Sequence, residues 1–301
     1  MSGKLTEGSA VGTFAAIIVA VIWGLSFVAA RAVLTTLTPL ILAALRFGVA
    51  SVIFVPLMAR ESLRGFRPTL RDVGELALLG FMSVTIYFWL QYTGVKYAGA
   101  GISALLVVGL IPLLTWLAST VLLKERFSAQ KALGTIMGLS GVALIALPNL
   151  FVGNVDPLFY LGVVSLLMNA VLFSTYSTLS RRIMQRIRRP LTVTAYTIVT
   201  GTMALIPLSL TSDWDPARSL QPGQWVSVLY LAVVCSFLGY LLWNFALSRI
   251  EAVKATVWLY LEPVSAFIGE AIIFGLVPTP VTLIGGCAII LGALLTNRSR
   301  K

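Results

Sequence analysis

The sequence predicts an all-α integral membrane protein. Its ten transmembrane helices form two inverted five-helix repeats around a central cavity. Four observations carry this reading. Only 11% of the 301 residues are charged, against about 25% in soluble chains. Residues 132–155, 157–180, 190–212 and 219–248 contain no Asp, Glu, Lys or Arg. Each run is near or above the roughly 18–20 residues that mark a membrane helix. The chain also repeats itself at an offset of 151: Pro39 recurs as Pro190, Pro56 as Pro207, Pro112 as Pro263, Gly134 as Gly285 and Gly141 as Gly292. These residue types fix backbone geometry and close packing. Lastly, the basic residues segregate to alternate loops.

The apolar runs place spans at 13–34, 39–60, 73–95, 99–122 and 130–147 in the first copy. Those of the second copy lie at 157–180, 191–211, 222–248, 253–273 and 280–296. The fifth and tenth are short, near the lower limit of about 17 residues for a span. Most connections are brief, as in one compact bundle, and the longer ones near 60–72 and 181–190 are charge-rich. Residues 1–12 form a polar cytoplasmic segment and 297–301 a basic cytoplasmic tail. The first apolar run is a full span without an A-x-A cleavage pattern, so it reads as a helix and not a signal peptide.

Positive charge marks the cytoplasmic side. With the N-terminus inside, 18 Lys and Arg fall in inner segments and 3 outside, namely Arg31, Lys96 and Arg218. Arg46 lies within a span. Both termini are therefore placed in the cytoplasm of a bacterial-type inner membrane. Five spans per copy is an odd number, so the copies (13–147 and 157–296) have opposite orientation. The formal charge of +11 follows from these loops and does not require a nucleic-acid partner. The chain has no His, which removes the commonest metal ligand and general base. Cys235 and Cys287 both fall within spans, so neither a disulfide nor a metal set is expected. No Walker motif is present, which disfavours ATP-driven transport by this chain alone. No cofactor is expected.

Motifs recur in order along both copies. The first reads Trp23-Gly24-Leu25-Ser26-Phe27, Arg31, Pro39, Ala44-Leu45-Arg46-Phe47, Tyr92-Thr93, Ser103-Ala104 and Pro112-Leu113. It continues with Glu125-Arg126-Phe127-Ser128, Gln130, Gly134 and Gly141. The second reads Leu247-Ser248-Arg249, Ala255, Glu262-Pro263-Val264, Gly285 and Gly292. This pattern, over nearly the whole chain, resembles the drug/metabolite transporter superfamily in its ten-helix EamA-like branch, and is most similar to YddG-type amino-acid exporters. It departs from the family where Leu276 stands in place of a carboxylate before Gly285. It departs again at Phe173-Ser174, where the family often has Trp-Ala. The resemblance implies an exporter of small organic solutes working by alternating access, with aromatic or neutral amino acids favoured. Its partners would be a small-molecule substrate and the lipid bilayer, as a monomer or homodimer. The same superfamily leaves a drug/proton antiporter or a sugar-phosphate or nucleotide-sugar exchanger as alternatives. An intramembrane enzyme lacks a catalytic constellation in the spans.

A solute path needs polar or aromatic groups facing inward at membrane depth, where a charge costs about 2.5–3.5 kcal/mol on insertion scales. Arg46 lies about 10 Å from the outer face and Glu262 about 14 Å from the inner face, at 1.5 Å per residue. Glu270 falls two turns later. Arg46 and Glu262 are candidates to contact substrate or a coupling proton. Alternatively they satisfy backbone groups, including the turn loosened by Pro263, or pair with each other. Helical spacing groups further candidates on shared faces: Trp23 with Ser26, Tyr87 with Gln91, Tyr240 with Asn244, Trp258 with Glu262, and Asn169 with Tyr176. Four of these five pairs join a ring to an uncharged polar tip, the chemistry of a pocket for small amphipathic solutes. The alternative is an aromatic belt at the membrane interface, which fits Trp116, Trp214 and Trp225. Arg46 is the clear inward-facing cation, whereas an organophosphate site needs two or more. Gly134, Gly138 and Gly141, with Gly285, Gly286 and Gly292, would seat the fifth and tenth spans together. Gly94, Gly99 and Gly101 form a candidate hinge. Glu125 and Lys124 would cap a cytoplasmic helix end.

Overall fold

A computed structural model describes residues 2–98, 103–124, 128–146, 157–274 and 280–298. Every regular element among them is helical. In chain order these are α1 (Ser2–Leu34), α2 (Pro39–Leu63), α3 (Leu70–Ala98), α4 (104–122), α5 (Ala129–Ala146), α6 (Pro157–Ile187), α7 (Pro190–Ser209), α8 (Pro222–Arg249), α9 (252–274) and α10 (Pro280–Arg298). A 3-10 turn, Asp215–Ser219, lies in the α7–α8 connection. Six helices are long and apolar enough to cross a membrane: Ser9–Leu34 of α1, α2, α3, α6, α7 and α8. The apolar parts of α4 and α10, Leu106–Leu122 and Leu283–Thr296, are shorter. The protein is thus an all-α, multi-pass membrane protein. Helix α1 runs through the segment expected to be a polar N-terminal tail. Gly99, Gly101, Glu125 and Leu276 lie outside the described residues, as do the side chains of Arg31 and Glu270.

Proline and capping residues set several helix starts. Pro39, Pro190 and Pro222 occupy first-turn positions, where a missing N–H costs nothing. Thr69 and Asp72 form a reciprocal capping box at the start of α3.

Within a bilayer, helices associate through close packing more than through hydrophobicity. The α5–α10 pair shows how. A Cβ on Gly134 would sit 2.6 Å from the Gly292 carbonyl oxygen, and one on Gly292 would sit 2.6 Å from that of Gly134. A Cβ on Gly141 would lie 2.5 Å from the Gly285 carbonyl oxygen. Rising numbers on α5 meet falling numbers on α10, so the two run antiparallel. Helices α2 and α7 are antiparallel as well. Ser51 donates to Thr202 Oγ1 at 2.8 Å, and Glu61 meets Arg189 and Thr192 further along. Ser51 and Thr202 are 151 residues apart, as are Tyr260 and the Gly109 carbonyl to which it donates. Such bonds average about 0.6 kcal/mol in a membrane bundle, so backbone proximity is the larger contribution.

Regular α-helix breaks at related places. Phe81–Ile86 in α3 is π-helical, and so is Tyr230–Leu238 in α8. Adding 151 to 81–86 gives 232–237, inside the second segment. In α4, Ala104–Val108 is π-helical, and the corresponding stretch of α9 overlaps the 3-10 turn Val257–Tyr260. A change of helical pitch leaves carbonyls without their usual i+4 donors, and side chains at the centre of the bundle use them.

Candidate functional site

Arg46, on α2, is buried, yet it has no acidic partner among the described residues. Its Nε donates to Ser236 on the α8 π-segment at 2.6 Å. Its guanidinium lies 4.6 Å from the centre of the Phe88 ring and 5.2 Å from that of Phe47. Stacking of this kind stabilises a desolvated cation by about 2 kcal/mol. Glu262, on α9, is buried too, and its carboxylate has no hydrogen bond or ion pair among the described residues. The loosened turn at Pro263 is served by Ser265, which donates to the Leu261 and Glu262 carbonyls at 3.0 and 3.1 Å. The expectation that the Glu262 carboxylate serves that turn is therefore replaced. So is the expectation that Arg46 and Glu262 pair.

Both charges line one narrow chamber of about 40 Å3, with Trp23, Tyr87, Phe173 and Tyr240 among its walls. Trp23 Nε1 donates to the Cys235 carbonyl at 3.0 Å, and Tyr240 donates to the Ser83 carbonyl at 3.0 Å. Both acceptors belong to π-segments, so each irregular turn orients one ring of the wall. The Trp23 ring lies 5.8 Å from Phe173 and 5.5 Å from Tyr240, and Tyr87 lies 5.4 Å from Phe173. Gly24 lets α1 approach α9, because a Cβ there would fall 3.0 Å from the Glu262 Cα.

The chamber adjoins a wider cavity of about 750 Å3 that reaches the α1–α2 turn. Ser26, Phe27, Arg46, Phe88 and Gln91 line both spaces. Beyond them the wide cavity is lined by Thr35, Thr36 and Thr38, by apolar residues such as Leu34 and Val95, and by Lys96. Lys96 is assigned by the charge count to an outer segment just past the third span. It lines the cavity because α3 continues to Ala98.

The structure brings together Trp23, Ser26, Arg46, Tyr87, Gln91, Tyr240 and Glu262 from the sequence-based set. Four others sit elsewhere. Asn169 is fully buried and donates to the Tyr87 carbonyl at 2.7 Å, holding that ring's backbone in place. Tyr176 and Asn244 form a polar cluster, in which Asn244 accepts from Tyr176 and Ser180 at 3.2 and 2.7 Å and donates to Thr194 at 2.9 Å. Trp258 is separated from Glu262 because it lies in the 3-10 turn. There, four residues no longer return to the same face. Val107 and Ile111, where the two copies differ in sequence, line the chamber, and so do Phe27, Phe88, Val108 and Phe173, which the sequence does not mark as site residues. Apolar residues in an apolar span carry no contrast that a sequence could reveal.

Polar contacts join the helix ends around the α8–α9 turn. Arg181 donates to the Leu247 carbonyl at 2.9 Å and also to that of Ile250. Lys131 Nζ lies 2.6 Å from Glu251, and Lys254 lies 3.8 Å from the same oxygen. Burial raises the affinity of Glu251 for a proton, but the Lys131 hydrogen bond and the charges of Lys254, Lys131 and Arg181 outweigh it. The carboxyl is thereby held below its usual range. Among the described residues no cluster of His, Cys, Asp or Glu could hold a metal ion.

Known proteins resemble this chain over nearly its whole length. The EamA-like transporter family matches residues 10–147 and 160–298, one match for each copy. An uncharacterized transporter of Archaeoglobus fulgidus is 27% identical over 92% of this chain and 95% of its own. A probable terminal-alkyne amino-acid exporter of Streptantibioticus cattleyicolor is 29% identical over 95% and 93%. A probable amino-acid metabolite efflux pump of Salmonella typhimurium is 25% identical over 93% and 92%. A crystal structure with 20% identity superposes with a TM-score of 0.79 over 96% of both chains, which is a likeness of fold.

Proposed function

The chain belongs to the EamA-like transporter family, and we propose that it exports small amphipathic metabolites, amino acids foremost, by alternating access. The observation that carries this reading is the chamber between α1, α2, α3, α4, α6, α8 and α9. It holds an unpaired cation and an unpaired carboxylate within an aromatic wall. A purely structural role for the two charges would call for ion-pair partners, and the described residues give Arg46 only neutral contacts and Glu262 none. The names of the Streptantibioticus and Salmonella relatives support amino acids as the solute class.

In this reading the halves are inverted repeats in a bacterial-type inner membrane, with both termini cytoplasmic, and the conformation faces outward. The packing supports this. Residues 151 apart meet at the α2–α7 contact, as they would beside a twofold axis. Adding 151 to the cavity residues Ser26, Phe88, Tyr92 and Lys96 gives Ser177, Gly239, Trp243 and Leu247. All four are buried, as the closed side of such a conformation requires. Rocking of the halves would exchange the two sets. No step in this cycle makes or breaks a covalent bond, so the chain acts as a carrier and not an enzyme.

A second reading, an organic-anion or sugar-phosphate exchanger, draws on Lys96 and Arg46 lining the same cavity. Uptake of labelled amino acids and of a labelled sugar phosphate into liposomes, with and without a pH gradient, separates the readings. Protein-dependent amino-acid flux is expected. Flux of the phosphate alone would overturn the proposal. Acceleration by the gradient would add proton coupling.

A further inference from the structure

Resting on that reading, we infer that the site recognises a zwitterion by its two ends, with the carboxylate on Arg46 and the ammonium on Glu262. Three observations lead here. The first is charge. The buried Arg46 guanidinium has only neutral partners among the described residues, Ser236 on its Nε and the Tyr92 hydroxyl beside it, so its positive charge is left for an anion, and a buried carboxylate with no cation beside it leaves its oxygens for a donor. The two do not neutralise each other, so the chamber offers one positive and one negative wall. A ligand of one sign would leave the other charge uncompensated at membrane depth. A dipolar ligand compensates both.

The second observation is shape. The chamber of about 40 Å3 holds little more than a small head group, whereas the adjoining cavity is about 750 Å3. Arg46 lines both spaces, and Glu262 lines only the narrow one. The ammonium therefore sits in the narrow chamber and the carboxylate at the junction. The side chain of the solute lies outward among Phe27, Leu34, Phe88 and Val95. Recognition of the two charges is tight, while the roomy apolar space accepts side chains of varied size.

The third observation is an unused acceptor. Gln91 Oε1 is buried and has no hydrogen-bond partner, and Gln91 lines both spaces. It can accept a further N–H from the ammonium. Lys96, further out in the wide cavity, faces no acid among the described residues and gives the departing carboxylate a second station.

The test uses full-length protein in liposomes and competition against labelled phenylalanine. The competitors are phenylalanine, phenylalaninamide, which lacks the carboxylate, and 3-phenylpropionate, which lacks the ammonium. Loss of one charge-assisted contact should weaken competition by about tenfold or more. In Arg46→Gln, phenylalanine and its amide should become equivalent. In Glu262→Gln, phenylalanine and phenylpropionate should become equivalent. Arg46→Lys and Glu262→Asp keep the charges and should keep the wild-type order. If wild-type protein binds either one-charge analogue as well as phenylalanine, the assignment is overturned without recourse to any variant. Variants that weaken all three ligands in parallel also overturn it, while wild-type phenylalanine flux leaves the transport reading standing. Absence of wild-type flux for every amino acid removes both.

Discussion

Tyr87 and Trp258 are both aromatic residues at membrane depth, but only Tyr87 lines the chamber. Its ring packs against Phe88 and Phe173 at 4.9 and 5.4 Å, and its face completes the wall opposite Trp23. Tyr87→Ala should therefore reduce amino-acid flux per folded molecule several-fold, in addition to the stability lost with a buried ring. Trp258 is buried away from the chamber. Trp258→Ala should act through stability, costing about 3–5 kcal/mol as large core truncations do. Flux per folded molecule would be retained. A flux loss for Trp258→Ala at unchanged melting temperature would place that ring in the path after all. The sequence made both residues candidates on helical spacing. It could not reveal the 3-10 turn at Val257–Tyr260 that rotates Trp258 away from Glu262.

Among the elements, α5 and α10 depend most on small residues. The Gly134 position faces the Gly292 carbonyl and the Thr296 side chain with no room for a methyl group. Gly134→Ala should force the pair apart at a cost of about 1–3 kcal/mol, typical of overpacking. Gly48→Ala, with nothing within 4 Å, should be neutral in the same thermal-melt measurement. Equal melting temperatures for the two variants would mean that the seam is not close-packed. The Gly pattern was legible in the sequence because close helix contact restricts residue type strongly. The π-segments in α3 and α8 were not, since an extra residue per turn leaves no compositional mark. They are nevertheless the elements that present Ser236 to Arg46 and free carbonyls to Trp23 and Tyr240.

At the scale of the molecule, the Lys131–Glu251 pair joins α5 to the α8–α9 turn, on the side that an outward-facing conformation closes. Its carboxyl titrates below the usual carboxylate range, so the ion pair is fully formed above that range. It is lost as pH falls through the depressed value, when Glu251 takes up a proton. Opening of that side can be read from maleimide labelling of Ser177→Cys, placed in a background lacking Cys235 and Cys287. Ser177 is the counterpart of Ser26 and is buried in this conformation. Labelling relative to a solvent-exposed cysteine control at the same pH, which corrects for the falling thiolate fraction, should rise when the pH is lowered, and Glu251→Gln should raise it at neutral pH and abolish the pH response. A labelling rate indifferent to both changes would remove Glu251 from the closure.

The sequence by itself determined the membrane class, the two family-matched copies and most of the chamber's polar residues. Charge-free runs, repeated Pro and Gly, and rare membrane charges are expensive to place anywhere else. Only the tertiary structure decided that Arg46 and Glu262 do not pair with each other and line one chamber, that Lys96 lines the wide cavity, and that Tyr176 and Asn244 bond to each other outside both spaces. Pairing between distant helices depends on crossing geometry and on local changes of helical pitch. Neither is encoded in spacing along a single span.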